Sequence, residues 1–210
     1  VKDGVDLNPM NLGGMPFYGT TAFGSGIGPM TENAFPYQPK ADEETGEVPV
    51  DEDGECYDED GDWSIDEDYR FGIFSSGAEL EESSILPSPA IKTTVDDEVE
   101  YTYNETATEA IKSELLQGRA VSIAFCADTY DPGDTEKYPK YINTVTWAHY
   151  TYDAKEGINH AVTIVGWDDE FSREDFLSED DVTGAEQPPA DGAWIVKNSW
   201  GSVDNEFPNK

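Results

Sequence analysis

A histidine and an asparagine stand at the edges of two apolar segments near the end of the chain. His160 opens the run 161–167, Ala-Val-Thr-Ile-Val-Gly-Trp, and Asn198 closes the run 193–197, Ala-Trp-Ile-Val-Lys. An imidazole can take up and release a proton near neutral pH, and a carboxamide oxygen that accepts from one ring nitrogen fixes the tautomer, so that the other nitrogen faces a nucleophile. A histidine beside a buried strand is more often structural, but an asparagine after a second strand of the same character favours a catalytic base with its orienting residue.

Both apolar runs have the composition of buried β-strands, because most of their residues are β-branched or aromatic. Two such strands would hold the imidazole and the carboxamide at fixed positions. The two residues are 38 positions apart (198 minus 160), since residues 168–191 form an acidic insertion between them. We expect this insertion to be a solvent-exposed loop at the tip of a hairpin, where added length costs little entropy.

The asparagine belongs to the motif Asn198-Ser199-Trp200-Gly201, and the histidine to the motif Asn159-His160-Ala161. These motifs resemble those of the papain-like (C1 family) cysteine peptidases of the bacterial type. The resemblance implies an α+β fold, with part of a helical half and an antiparallel β-barrel half. It also implies an endopeptidase that hydrolyses peptide bonds through an acyl-enzyme, with His160 as base, Asn198 as orienting residue and Trp200 shielding their hydrogen bond from water.

Three landmarks near the start of the chain match the family in the same order. They are the segment 13–16, Gly-Gly-Met-Pro, then Ile27, then the segment 35–37, Phe-Pro-Tyr. In the family the backbone of the paired glycines binds an extended peptide substrate, although glycines alone are equally typical of a turn. The resemblance also implies apolar contacts for the second residue before the scissile bond. Asn159 departs from the family, in which an aspartate is common just before the histidine. The residues that the resemblance assigns to substrate binding are Gly13, Gly14, Met15, Pro16, Ile158, Asn159 and Ala161.

Neither cysteine of the chain suits the role of nucleophile. Cys56 lies among acidic residues, which disfavour a thiolate, and Cys126 ends a predicted buried strand, where a structural thiol is expected. In the family, the landmark segment follows the helix that carries the catalytic cysteine. The resemblance therefore implies that residues 1–210 are one peptidase domain, incomplete at both ends, with the cysteine on an upstream segment or a second chain. By itself, the chain is expected to be inactive.

The chain carries a formal net charge of −34, from 12 basic and 46 acidic side chains. Such a charge argues against nucleic acid and anionic membrane surfaces as partners. The sequence contains no apolar run of membrane-spanning length, and two cysteines cannot form a disulfide scaffold in 210 residues. We expect an extracellular or cell-surface protein that acts on a peptide or protein substrate and needs no cofactor.

Residues 41–69 form another acidic insertion, with few apolar side chains, so a solvated loop is the first interpretation. Calcium binding is the alternative, because carboxylate oxygens are preferred ligands of this ion. The EF-hand pattern fails, since placing Gly61 at its sixth position puts Cys56 at its first. The sequence therefore names no metal ligands.

Local patterns predict the elements that precede the histidine strand. Pro16 favours a short helix over residues 16–23, and a capping box from Thr106 to Glu109 favours a second helix that stops near Gly118. A buried strand over residues 120–126 follows. His149 has no motif partner and is interpreted as structural or exposed.

Two other functions stay open at this point. A papain-like domain without its nucleophile would be a binding or adhesion module on a cell surface, and Ser, Ala or Gly in the upstream cysteine position would favour it. An acidic cation-binding surface protein with an incidental resemblance would instead show calcium-dependent melting and no thiol-reactive activity.

Overall fold

The computed structural model describes residues 15–26, 28–31, 33, 38–50, 62, 78–96, 98–128, 139–153 and 156–198. The chain divides into two compact units, Val1–Ser84 and Ile85–Lys210. Among the described residues, one helix lies in the first unit, and the strands, a second α-helix and both histidines lie in the second.

Helix α1, Pro16–Gly24, belongs to the first unit and was predicted from its proline. Pro16 suits the first helical position because its ring presets the helical φ and no amide hydrogen is needed in the first turn. The helix ends at Ser25, whose amide donates to the carbonyl oxygens of Thr21 and Ala22, both at 3.1 Å. In the described part of the chain, no helix has the length and apolar content that a membrane crossing requires.

Only residues 41–50 and 62 of the first acidic insertion are described. There the Asp42 carboxylate forms a turn by accepting from the amides of Glu44 at 2.9 Å and Thr45 at 2.8 Å. The Lys40 amide donates to the carbonyl oxygen of Asp62 at 2.8 Å. The other acidic residues on which the calcium alternative depends lie outside the described residues.

The second unit begins with a two-stranded antiparallel hairpin, β1 (Ala90–Val95) and β2 (Glu98–Tyr103). At the tight connection between the strands, Asp96 takes a left-handed φ of 51°. Aspartate tolerates this conformation better than most residues. Most side chains of the hairpin are exposed.

Helix α2, Glu105–Leu116, follows the hairpin directly. The predicted capping box was wrong, because Thr106 lies inside the helix and Asn104 is the N-cap residue. The side-chain oxygen of Asn104 accepts from the Ala107 amide at 3.3 Å. As predicted, the helix stops just before Gly118, whose left-handed φ of 77° is easily adopted by glycine.

Three antiparallel strands form the sheet that carries the predicted histidine and asparagine. They are β3 (Val121–Phe125), β4 (His160–Asp168) and β5 (Ala193–Lys197), in the order β3-β4-β5. Helix α2 packs on β3 and β4, and Ile111 of the helix and Ile164 of β4 are 1% and 0% exposed. The α+β class is confirmed, but the sheet has three strands in the described residues and does not close into a barrel there.

The connection from β4 to β5 is not simply the exposed loop expected for residues 168–191. It contains a short 3₁₀ helix, Arg173–Asp175, and after it Phe176 and Leu177 are only 7% and 6% exposed. The ring of Phe176 packs edge-to-face on those of Phe171 and Tyr150, at centroid distances of 5.4 and 6.3 Å. The segment contains a few apolar residues among its many acidic ones, and the burial of these apolar side chains helps to order it.

Candidate active site

His160 and Asn198 lie together at one end of the three-stranded sheet. His160 is the first residue of β4 and Asn198 follows the last residue of β5, so the antiparallel pairing of these strands brings both side chains to the same end. Nε2 of His160 lies 2.8 Å from Oδ1 of Asn198, and both residues are half-buried. Because a carboxamide oxygen can only accept, this contact assigns the proton to Nε2 and leaves Nδ1 as the basic nitrogen.

Phe125 is the cross-strand partner of His160 and was missed as a site residue from sequence. The register of β3 with β4 places the two residues opposite each other. Their ring centroids are 5.9 Å apart with an interplanar angle of 54°. Phe125 therefore limits the positions that the His160 ring can take.

Asn159 attaches the start of β4 to the segment after β3. Its Oδ1 accepts from the Ala127 amide at 2.6 Å, and its Nδ2 donates to the Ala127 carbonyl oxygen at 3.0 Å. The Asn159 amide donates to the carbonyl oxygen of Phe125 at 3.1 Å. The side chain expected to face substrate thus also holds the backbone next to His160.

The other residues assigned to substrate binding are divided between described and undescribed parts of the chain. Ile158 is 73% exposed and Ala161 is exposed on β4, so apolar surface flanks His160 on both sides in the sequence. In the first unit, Met15 is the N-cap residue of α1, 54% exposed, and Pro16 is its first residue. Gly13, Gly14 and Trp200 lie outside the described residues.

The second histidine, His149, is held by backbone and aromatic contacts. It forms an isolated antiparallel bridge with Ile142, and its Nε2 accepts from the Asp128 amide at 3.0 Å. Its ring stands edge-to-face on Phe125 at 5.1 Å between centroids. Burial is the main reason that the pKa of His149 is lowered, and the charge of Asp128 opposes this shift. These contacts agree with a structural role.

Cys126 does not have the environment of a nucleophile. Burial raises the pKa of its thiol, and the negative charge of Glu156 raises it further, so that the protonated form prevails at neutral pH. The thiol lies 3.8 Å from the carbonyl oxygen of Ala127, a weak hydrogen bond. Cys56 lies outside the described residues.

Two ion pairs connect segments of the second unit. Lys112 of α2 donates to both carboxylate oxygens of Asp169, at 2.7 and 2.9 Å, just after β4. This bond raises the pKa of Lys112 and lowers that of Asp169. Lys140 donates to Glu156 at 2.7 Å and thereby lowers the pKa of the Glu156 carboxyl. Within the described residues, no group of three or more His, Cys, Asp and Glu side chains is arranged to hold a metal ion.

Comparison with known proteins gives one family. A family model described as papain family cysteine protease matches residues 13–206, which is nearly the whole chain. The matched range contains His160, Asn198 and both acidic insertions. No similar curated protein and no similar solved structure was found.

Proposed function

Because this chain belongs to the papain family of cysteine proteases, we propose that His160 is its catalytic base and Asn198 the residue that orients this base in the hydrolysis of peptide bonds. At the family level the activity is that of a cysteine peptidase. The observation that supports the residue assignment is the 2.8 Å contact between Nε2 of His160 and Oδ1 of Asn198.

In this proposal each ring nitrogen of His160 has its own role, and the contact with Asn198 supports that division. Nδ1 takes the proton of a cysteine thiol, and the thiolate attacks the carbonyl carbon of the scissile peptide bond. The imidazolium then gives this proton to the leaving amine nitrogen, so that the C–N bond breaks and a thioester remains. A water molecule attacks the thioester while Nδ1 accepts its proton, and the C–S bond breaks to release the acid and the thiolate. Throughout, Asn198 keeps the ring plane fixed through Nε2–H.

The nucleophile in this proposal comes from a segment upstream of residue 1 or from a second chain. Cys126 is a poor candidate because burial keeps its thiol protonated. An imidazolium beside the thiol lowers its pKa well below the usual ~8.5, and the acidic surroundings of Cys56 in the sequence do the opposite. The chain by itself is therefore proposed to be inactive.

The proposed substrate is a peptide or protein with an apolar side chain near the scissile bond. Ile158 and Ala161 are exposed and apolar, and they are the sequence neighbours of Asn159 and His160. Hydrolysis by this route needs no cofactor. The net charge of −34 supports an extracellular or cell-surface location, where high solubility is useful.

The test uses the natural protein that contains both this chain and the upstream segment. We expect His160→Ala to lower kcat by ~10⁴-fold or more, and Asn198→Ala to lower it less, because the orienting residue does not transfer the proton. Asn104→Ala is the matched control, since it removes a carboxamide that caps α2 and is expected to leave kcat unchanged. An epoxide thiol trap should label an upstream cysteine and neither Cys56 nor Cys126.

Two results would contradict the proposal. Full activity of His160→Ala in a protein with a labelled upstream cysteine would exclude the assigned base. If the upstream cysteine position holds Ser, Ala or Gly and the trap labels nothing, the chain is a papain-like binding or adhesion module and not a peptidase.

A further inference from the structure

His149 accepts a hydrogen bond through a ring nitrogen that must be unprotonated. The donor is the Asp128 amide, which always carries its hydrogen, and it lies 3.0 Å from Nε2 of His149. A ring nitrogen that accepts a hydrogen bond carries no proton. The His149 ring is therefore neutral, and its single N–H group is at Nδ1. The contact thus requires one protonation state of His149.

The residue that His149 holds is also fixed through its side chain. Oδ2 of Asp128 accepts from three consecutive amides, those of Lys140 at 2.7 Å, Ile142 at 3.1 Å and Tyr141 between them. Asp128 therefore connects the segment that follows β3 to the segment 140–149, and the His149 contact completes this connection. Loss of that contact would loosen the chain three residues after Phe125.

The same histidine touches the aromatic ring that faces His160. The Phe125 ring lies edge-to-face on His149, with centroids 5.1 Å apart, and its centroid is 5.9 Å from that of His160. One side chain, Phe125, therefore contacts both imidazole rings.

We propose that His149 is a pH-responsive positioning residue for His160: its neutral ring keeps Asp128 and Phe125 in place against the catalytic imidazole, and its protonation releases them. This inference rests on the proposed role of His160 as the base.

Protonation would put an N–H group on Nε2, directly opposite the N–H group of Asp128. Two donors cannot share a hydrogen bond, so the contact would break and the imidazolium would turn towards an acceptor. In the part of the chain that the structure describes, the Asp128 carboxylate favours the imidazolium, and the Tyr141 ring centroid lies 6.0 Å from that of His149. Beyond Tyr141 lie Lys140 and Glu156, which are paired with each other.

Burial and the charge of Asp128 act in opposite directions on the pKa of His149. Burial lowers the pKa of His149 more than Asp128 raises it. The ring is therefore neutral at pH 7 and becomes protonated only when the pH falls below the ordinary histidine range near 6.5. Catalytic positioning would be kept at neutral pH and lost in acid.

The first experiment is histidine-selective ¹⁵N NMR of the natural protein, since residues 1–210 contribute only two histidines. His149→Gln and His160→Gln variants assign the two sets of signals by their loss. At pH 7 we expect the ¹⁵N signals of His149 to be those of the Nδ1–H tautomer. When the pH is lowered and His149 becomes protonated, we expect the His160 signals to shift over the same pH range. His149→Gln should remove that step from the His160 signals.

The second experiment measures kcat and KM of the peptidase from pH 4 to pH 8. His149→Phe keeps a ring against Phe125 but removes the hydrogen-bond acceptor. We expect it to lower kcat by about tenfold and to change KM less than about twofold. This loss is milder than the ~100-fold cost of displacing a catalytic group by 1 Å. His149→Gln can offer a carboxamide oxygen to the Asp128 amide, so it should restore most of kcat at neutral pH and lose the acid-side step.

The results separate this inference from the proposed function. A protonated Nε2 of His149 at pH 7 would overturn the inference, and so would His160 signals that ignore the titration of His149 or a wild-type pH profile in His149→Gln. If neither the unmodified protein nor any variant has peptidase activity while the His160 signals follow the titration of His149, the proposed function fails and the coupling between the rings stands. If a variant fails to fold, the NMR titration of the unmodified protein still decides whether the rings are coupled, because the Nδ1–H tautomer of His149 and the Nε2–H tautomer of His160 distinguish their signals.

Discussion

The side chain of Asn159 imitates the hydrogen bonding of a β-strand backbone. Its carboxamide both donates to and accepts from Ala127, as the peptide group of a neighbouring strand would. Ala127 is buried, at 6% exposure, so its amide and carbonyl groups depend on partners within the protein. At the scale of single residues, the position before His160 therefore contributes to stability as well as to any contact with substrate.

We expect Asn159→Ala to lower the free energy of unfolding by about 1–3 kcal/mol, because it leaves two buried backbone groups without their side-chain partner. Urea unfolding followed by circular dichroism measures this loss. Ile158→Ala is the control, since Ile158 is 73% exposed and a change there should stay within about 0.5 kcal/mol. Equal stability of the two variants would mean that the contacts to Ala127 contribute nothing.

At the scale of elements, α2 connects the hairpin β1–β2 to the three-stranded sheet. Its N-cap residue, Asn104, accepts from the Ala107 amide and also donates through Nδ2 to the Ser88 carbonyl oxygen at 3.0 Å. The Asn104 amide donates to the Pro89 carbonyl oxygen at 2.9 Å. One residue thus caps the helix and fixes its position against the segment that enters β1.

The two candidate caps of α2 can be distinguished by a pair of substitutions. Asn104→Ala should cost about 1 kcal/mol of stability or more, because a cap is lost. Thr106→Ala should be neutral or slightly stabilising, because Thr106 lies inside the helix and alanine has the higher helix propensity. Thermal melting of both variants checks this. A larger loss for Thr106→Ala would show that the predicted capping box forms in solution.

At the scale of the whole molecule, the net charge of −34 is the dominant electrostatic feature. If each of the 12 basic side chains paired with one carboxylate, 34 of the 46 acidic side chains would still have no basic partner. Repulsion among the remaining carboxylates disfavours the compact state, and dissolved ions screen this repulsion over about 10 Å at 0.1 M salt.

The melting temperature should therefore rise with ionic strength. We expect a continuous increase from 0.05 M to 1 M NaCl, and the same increase with KCl, because screening does not depend on the identity of the cation. Calcium added at constant ionic strength serves as the comparison, since an extra increase would indicate a specific site such as the alternative proposed for residues 41–69. A melting temperature that is flat across this range of NaCl would contradict the argument from self-repulsion.

The sequence by itself determined the features that depend on short segments. The apolar runs that follow His160 and precede Asn198 predicted β4 and β5, and Pro16 predicted the start of α1, because strand composition and helix initiation are local properties. The family motifs, together with these runs, predicted the α+β class and the histidine–asparagine pair. The pair could be named from sequence because each of its members stands at the end of a predicted strand.

Only the tertiary structure decided the features that depend on distant contacts. The capping-box signal belongs to Thr106, but the cap is Asn104, whose side chain also donates to the carbonyl oxygen of Ser88, 16 positions earlier. The burial of Phe176 involves Tyr150, which lies outside the acidic segment. The contact between Asp128 and His149 joins residues 21 positions apart, and that between Ala127 and Asn159 joins residues 32 positions apart. Such contacts leave no periodic pattern in the sequence, since each arises only when folding brings separate segments together.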